Sequence, residues 1–306
     1  AVTVDDASAA RYRSLTGPLG EDLRRVMEEE DGDTILALTP DGRCPMWRDD
    51  GLCRIQAQLG EEALCHTCSQ FPRLRHDYGN FVELELELSC PEAARLILSQ
   101  DQSFTVEEVS GGEEPEYDAE LMSILLESRT AATAFLDASP LSPNLTLAVL
   151  LLYAHEVQSW IDGGEAAELD MDSCLELAKK YAAKGDWQLF TDFFENLEIL
   201  TPQWEGRLSA PAAQMHWHSG FIPLAKYFIH RYWLQAVSDY DLICRVKFLI
   251  AACLLVCHLG GEFQETAQLF SKEVENAPDN LEAILDGAYT SPALTDVHLL
   301  SLLLNG

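Results

Sequence analysis

The sequence predicts a mainly α protein: a small Cys-rich N-terminal part with a short β-hairpin and strand, followed by an all-helical domain. Three observations carry this. From about residue 117 onward, apolar residues recur at helical spacing almost to the end, between cap and stop signals. Before that point FVELELEL (81–88) alternates strictly between apolar and acidic residues, the period of a half-buried strand. Five of the nine cysteines fall within the first ninety residues, in turn-rich segments. The expected division is a Cys-rich metal- or cluster-binding domain over 1–105 and a helical domain over 106–306. A polar, Gly- and Pro-bearing linker over about 101–118 joins them.

In order, residues 1–30 read as helical, with Leu19, Leu23 and Val26 on one face and Glu28–Glu30 closing the segment. Two short apolar runs around Pro40-Asp41-Gly42 give a hairpin signal, so strand is expected only over about 34–47 and 81–88. A short helix is expected near Gly60–Leu64. In 81–88, Val82, Leu84, Leu86 and Leu88 should face one side and Glu83, Glu85 and Glu87 the other. Ser89-Cys90-Pro91 opens a helix, with proline at its first position. The second half gives helices near 117–137, 143–162, 171–184, 187–199, 219–238, 241–259, 262–276, 279–287 and 292–304. Ser142-Pro143 and Ser291-Pro292 are start signatures; Gly185, Gly260-Gly261 and Gly287 read as stops.

A chain of 306 residues with 47% hydrophobic content has ample material for a core. The net charge of −31 is spread along it with no basic patch, which argues against nucleic acid and anionic membranes. The acidity favours a basic or lysine-bearing protein partner, or serves solubility alone. The longest apolar run, Phe248–Leu259, is too short for a transmembrane helix and reads as a buried one. Nine cysteines cannot all pair within one chain, and no apolar leader is evident, so reduced thiols in a cytoplasm are expected.

Cys44, Cys53, Cys68 and Cys90 are the candidate metal ligands. Their gaps of 8, 14 and 21 residues do not give the two close pairs of a zinc finger. They suit a cluster gripped from several turns, as iron–sulfur clusters are, with zinc the alternative. Each sits beside turn residues rather than in an apolar stripe. Cys90 precedes Pro91 at a helix start, where free N–H groups favour a thiolate. Cys65 forms C-H-T-C with Cys68 and reads as the spare thiol; His66 reads as a loop residue. Cys174, Cys244, Cys253 and Cys257 read as core, the last two at i and i+4 of one helix face. No phosphate loop, nucleophile elbow, H-E-x-x-H or EF-hand motif is present. No residue stands out as a catalytic base or as a binder of a small-molecule cofactor.

CPMWRDDGLCRIQAQLGEEALCHTCSQFPR followed by LELSCPEAARLIL resembles the cysteine-rich core of the flagellin lysine-N-methylase family. YFIHRYWLQAVSDYDLICRVKFLIAACLLV and AQLFSKEVENAPDNLEAIL resemble its C-terminal blocks. The resemblance implies a bacterial, cytoplasmic methyltransferase acting on lysine side chains of flagellin. It further implies a 4Fe-4S iron–sulfur cluster and S-adenosylmethionine as methyl source. Cys44, Cys53, Cys68 and Cys90 match the family cysteines, and Cys65 is an extra where the family often has a small polar residue. Family members begin with a further block containing a Cys-Cys pair; this sequence begins after that point. The competing expectation is a non-catalytic zinc- or iron-binding interaction module.

Overall fold

The computed structural model describes residues 2–30, 32–40, 42–99, 105–108, 115–211 and 215–305. The linker read over 101–118 lies mostly outside them. The chain divides into two compact units, Ala1–Leu74 and Arg75–Gly306.

The first unit opens with strand β1 (Val2–Val4), helix α1 (Asp6–Ser14) and helix α2 (Pro18–Val26), followed by strands β2 (Met27–Glu30) and β3 (Asp33–Leu36). Asp5 caps α1 by accepting from Ser8 N at 2.9 Å. Pro18 starts α2 after Gly17, whose φ of 83° suits only glycine well. The three strands form one antiparallel sheet in the order β1-β3-β2, with Val2 and Met27 both opposite Leu36. The expected helical reading of Glu28–Glu30 and the expected hairpin partner of β3 are both corrected here. The glutamates form an edge strand whose side chains stay in water, a placement edge strands favour. Thr39 N donates to Arg43 O at 2.8 Å, and among the described residues that follow, before β4, strand pairing resumes only as a Trp47–Cys53 bridge. Helix α3 (Arg54–Leu59), a 3₁₀ turn at Glu61–Ala63 and helix α4 (His66–Gln70) follow. Val4, Tyr12, Leu23, Leu36, Met46 and Ile55 make this unit's core.

Strands β4 (Arg73–Asp77), β5 (Phe81–Leu86) and β6 (Thr105–Glu108) form a second small sheet in that order. Strand is therefore wider than the two predicted segments, because β1, β2, β4 and β6 are only three to five residues long, too short to carry a clear period of their own. The predicted faces of β5 are also partly corrected. Glu83 is 5% exposed and Leu84 39%. The cause is Arg129, which donates Nη1 to Glu83 Oε2 at 2.8 Å and Nη2 to Oε1. A forked, buried ion pair turns the glutamate inward against the local pattern.

The second half is helical, as read: α5 (Pro91–Ile97), α6 (Ala119–Ala138), α7 (Pro143–Ile161), α8 (Met171–Tyr181), α9 (Trp187–Glu195), α10 (Pro202–Leu208), α11 (Phe221–Tyr232), α12 (Ile243–Leu259), α13 (Phe263–Phe270), α14 (Pro278–Thr290) and α15 (Asp296–Asn305). The short α10 escapes the sequence reading although Thr201 caps it, accepting from Trp204 N at 3.2 Å. Gly287 is not a stop. It lies inside α14, where a β-carbon would come within 2.9 Å of Phe193 and 3.2 Å of Leu294. Helix α12 is apolar all round and is enclosed by α7, α11, α13, α14 and α15. Every residue from Ile243 to His258 is buried. Its Lys247 is neutralised at Ala288 O (2.8 Å) and Asp296 (3.3 Å), so the charge is not left alone in the core. Phe248 of this helix and Phe270 each meet Phe228 edge-on, with centroids 5.4 and 6.1 Å apart, and lie tilted to each other at 6.1 Å. No helix among the described residues is long and apolar enough to cross a membrane.

One turn departs from regular helix. After α13 the chain runs as a π-helix over Ser271–Glu275, burying Glu273 and Glu275 completely or nearly so. Glu275 receives Tyr227 Oη at 3.0 Å, Tyr232 Oη at 2.9 Å and the Arg231 guanidinium at 2.9 Å. Burial and the carboxylate together push both phenols well above their ordinary range, so they stay protonated donors.

Candidate metal centre

Cys44 and Cys53 are brought together by a tight turn. Trp47 N donates to Cys44 O at 3.0 Å, Arg48 N to Leu52 O at 2.9 Å, and Arg54 N to Met46 O at 2.8 Å. Gly51, with φ of 81°, reverses the chain at the tip. Met46 and Ile55 plug this turn into the core, and the two cysteines rest half-buried against the same core.

A second set of bonds holds Cys65 and Cys68. Tyr12 Oη and Arg11 Nη2 both donate to Ala63 O, at 2.7 and 2.9 Å. Thr67 Oγ1 donates to Thr3 O at 2.9 Å, and the Cys65 thiol reaches the same oxygen at 3.7 Å. Asp5 accepts from His66 N at 2.8 Å while also capping α1. Those backbone N–H groups, His66 first and then Ser8, lower the Asp5 carboxyl to about 2. A depressed carboxyl adds stability above its unfolded pKa of about 3.9 and loses it as pH falls through the folded value. Between about pH 4 and pH 2, Asp5→Asn should therefore flatten the acid limb of the unit's stability. Denaturation midpoints at stepped pH check this; a variant as acid-sensitive as the parent would show that Asp5 does not fasten the loop.

The thiols share one electrostatic field. Burial pushes the Cys44 thiol up, its neighbours Cys53 and Cys65 add to that, and the backbone N–H groups of Met46 and Trp47 oppose it. Cys65 and Cys68 are hydrogen-bonded to each other, so the pair gives up its first proton readily and its second with great difficulty. The charges of Cys44 and Cys53 raise Cys68 further. A bound cation reverses the sign of each of these repulsions, since it stabilises every thiolate it touches. All nine cysteines are free thiols. Among the described residues, no three His, Cys, Asp or Glu side chains already stand at metal-holding spacing, so the turns would have to draw in around an ion or cluster. As a donor set, several soft thiolates fit iron–sulfur or zinc and do not fit magnesium or calcium.

Cys90 belongs to the second unit. It occupies the cap position of α5 with Pro91 next to it, as the sequence indicates. The segment around it is pinned: Leu88 N donates to Tyr227 Oη at 3.4 Å, Gln268 Nε2 to Ser89 O at 2.6 Å, and Gln264 Nε2 to Pro91 O at 3.1 Å. Of the predicted ligands, the structure thus groups Cys44, Cys53 and Cys68 in one unit and adds Cys65 to them. His66 is exposed and contributes its backbone N–H. Cys174, Cys244, Cys253 and Cys257 are buried in the helical unit, as expected of core residues, with thiols raised chiefly by burial. Sequence reasoning missed Asp5, Arg11 and Tyr12 as supports of the cysteine turn. Only Asp5, in Asp5-Asp6-Ala7-Ser8 ahead of a helix, carried a legible signal.

No protein-family model matches the chain, and no solved structure matches it. Three curated proteins share a stretch of it. A lysine-N-methylase of Salmonella typhimurium and one of Salmonella choleraesuis are 46% identical over 67 residues, which is 22% of this chain and 17% of theirs. The flagellar biosynthetic protein FliU of Salmonella muenchen matches at 46% over 67 residues, 40% of its length. Through this stretch of 67 residues the chain is related in sequence to lysine-N-methylases, and the rest of it lies outside the match.

Proposed function

We propose that this chain is part of a protein lysine N-methyltransferase that acts on flagellin, takes its methyl group from S-adenosylmethionine and carries a 4Fe-4S cluster. The observation that carries the reading is the gathering of Cys44, Cys53 and Cys68 around one small core, in a chain that shares a 46%-identical stretch with lysine-N-methylases. Cys90 is the proposed fourth ligand, on the strength of the family resemblance and its place at a helix start. The cluster, when bound, ties these turns together. S-adenosylmethionine, when bound, would supply the methyl group, and the lysine ammonium would first have to give up its proton to a base. The setting is a reducing cytoplasm, where free thiols persist.

One observation favours a second reading. Cys65 lies with Cys44, Cys53 and Cys68 and is hydrogen-bonded to Cys68. Those four thiolates would make a complete zinc or iron site within the first unit, in a module that binds partners without catalysis.

The test incubates flagellin, S-adenosylmethionine and anaerobically reconstituted protein, then reads methyl additions on lysine by mass spectrometry. Methylated lysines are expected. Their absence with a protein extended to the full length of its methylase relatives and loaded with cluster would leave the metal-binding module standing.

A further inference from the structure

The helical unit carries a cleft that no part of the proposed chemistry uses. It holds about 410 Å³, within the size range of small-molecule sites. Leu136, Leu141 and Ile222 supply an apolar side, and the charged side chains on its wall are one anion and one cation, Asp137 and Lys226. The two are fixed against each other, with Lys226 Nζ donating to both Asp137 oxygens at 2.9 Å. The Lys226 side chain is 14% exposed and that of Asp137 58%, so the pair borders the cleft and is not sealed in the core.

These charges decide what the cleft can take. A net anion would meet Asp137 and a net cation would meet Lys226, so the wall repels part of either. A purely apolar molecule would cover the ion pair and strip its water without replacing it. A zwitterion laid head-to-tail on the pair meets both demands, its ammonium at Asp137 and its carboxylate at Lys226. Both partners keep capacity for this, since an ammonium has three donors and a carboxylate about four acceptor sites. The helix ends add a field that orients such an occupant. Helix α6 ends at the cleft with Leu136 and Asp137, where the dipole favours a cation. Helices α7 and α11 start there with Pro143 and Ile222; neither start is closed by a side-chain cap, and the dipole favours an anion.

An α-amino acid carries its two charges on adjacent carbons, as close together as those of the pair, and its side chain leaves from beside them. We infer that this cleft binds a free α-amino acid with an apolar side chain, its charged end across Asp137 and Lys226 and its side chain against Leu136, Leu141 and Ile222. The site lies wholly within the helical unit, and the inference does not depend on the methyltransferase reading.

The test titrates the intact chain calorimetrically with L-methionine, L-norleucine and L-leucine. Saturable binding is expected. N-acetylmethionine, which lacks the cation, and methionine methyl ester, which lacks the anion, should each bind about tenfold or more weakly. Asp137→Asn and Lys226→Met should weaken binding by a similar factor. Ser219, also on the lining, is exposed; Ser219→Trp fills the cleft without touching the ion pair and should abolish binding while the denaturation midpoint holds. No saturable binding of any of the three amino acids, equal binding of the blocked derivatives, or binding unchanged in all three variants overturns the proposal. S-adenosylhomocysteine taking the site in preference to every free amino acid also overturns it, since the cleft would then belong to the proposed cofactor. Loss of amino-acid binding in the variants with methyl transfer to flagellin unchanged supports it and separates it from the methyltransferase reading.

Discussion

Cys68→Ser is expected to abolish metal binding. Cys68 is the thiol most strongly raised by its surroundings: Cys65 first, then burial, with the charges of Cys44 and Cys53 adding to them. A serine hydroxyl cannot serve as the soft anionic ligand, and losing one thiolate from a four-ligand site removes much of a binding energy of about 10–16 kcal/mol for structural zinc. The loss should extend to folding. A unit of this size has a small core, and here no disulfide supplements it. Metal analysis after anaerobic purification should fall to background, and limited proteolysis should cut the first unit before the second. The same assay on Cys65→Ser and Cys90→Ser identifies the fourth ligand, since only loss of a true ligand empties the site. Full metal occupancy in Cys68→Ser would mean that Cys68 is not a ligand.

The largest effect on stability is expected in the other unit, from Glu275→Gln. Glu275 has no side-chain exposure and neutralises Arg231, which is itself 13% exposed and has a buried Nη1 with no partner. Removing the negative charge leaves a buried guanidinium uncompensated, a change that costs about 3–5 kcal/mol. Tyr227 and Tyr232 would keep an acceptor at the amide oxygen, which separates loss of charge from loss of hydrogen bonds. Urea denaturation should show the midpoint falling with little change in slope. A shift under about 1 kcal/mol would mean that Arg231 finds other compensation.

The helical half was legible because its information is local. Pro143 after Ser142, the positive φ of Gly260 and the apolar spacing between them follow from residues a few positions apart. What escaped depends on distant partners. Glu83 turns inward because of Arg129, 46 residues on, and nothing in FVELELEL encodes that. Strands β1 and β2 exist because β3 lies between them, and MEEE by itself has no strand period. The candidate site divides the same way. The cysteines announce themselves by residue type and turn context, whereas Asp5 and Tyr12, which seat the Cys65–Cys68 turn, act across 51 to 61 residues. The π turn that buries Glu275 leaves no mark on the hydrophobic spacing of AQLFSKEVENAP.

Helix α12 has a kinetic consequence. With every residue from Ile243 to His258 buried and neighbours on all sides, no local fraying can bare its middle. Its central amides should exchange with deuterium only when the helical unit opens as a whole. Cys253, fully enclosed on that helix, would then act as an internal clock: the rate at which a thiol reagent traps it reads the opening frequency of the unit directly, without denaturant.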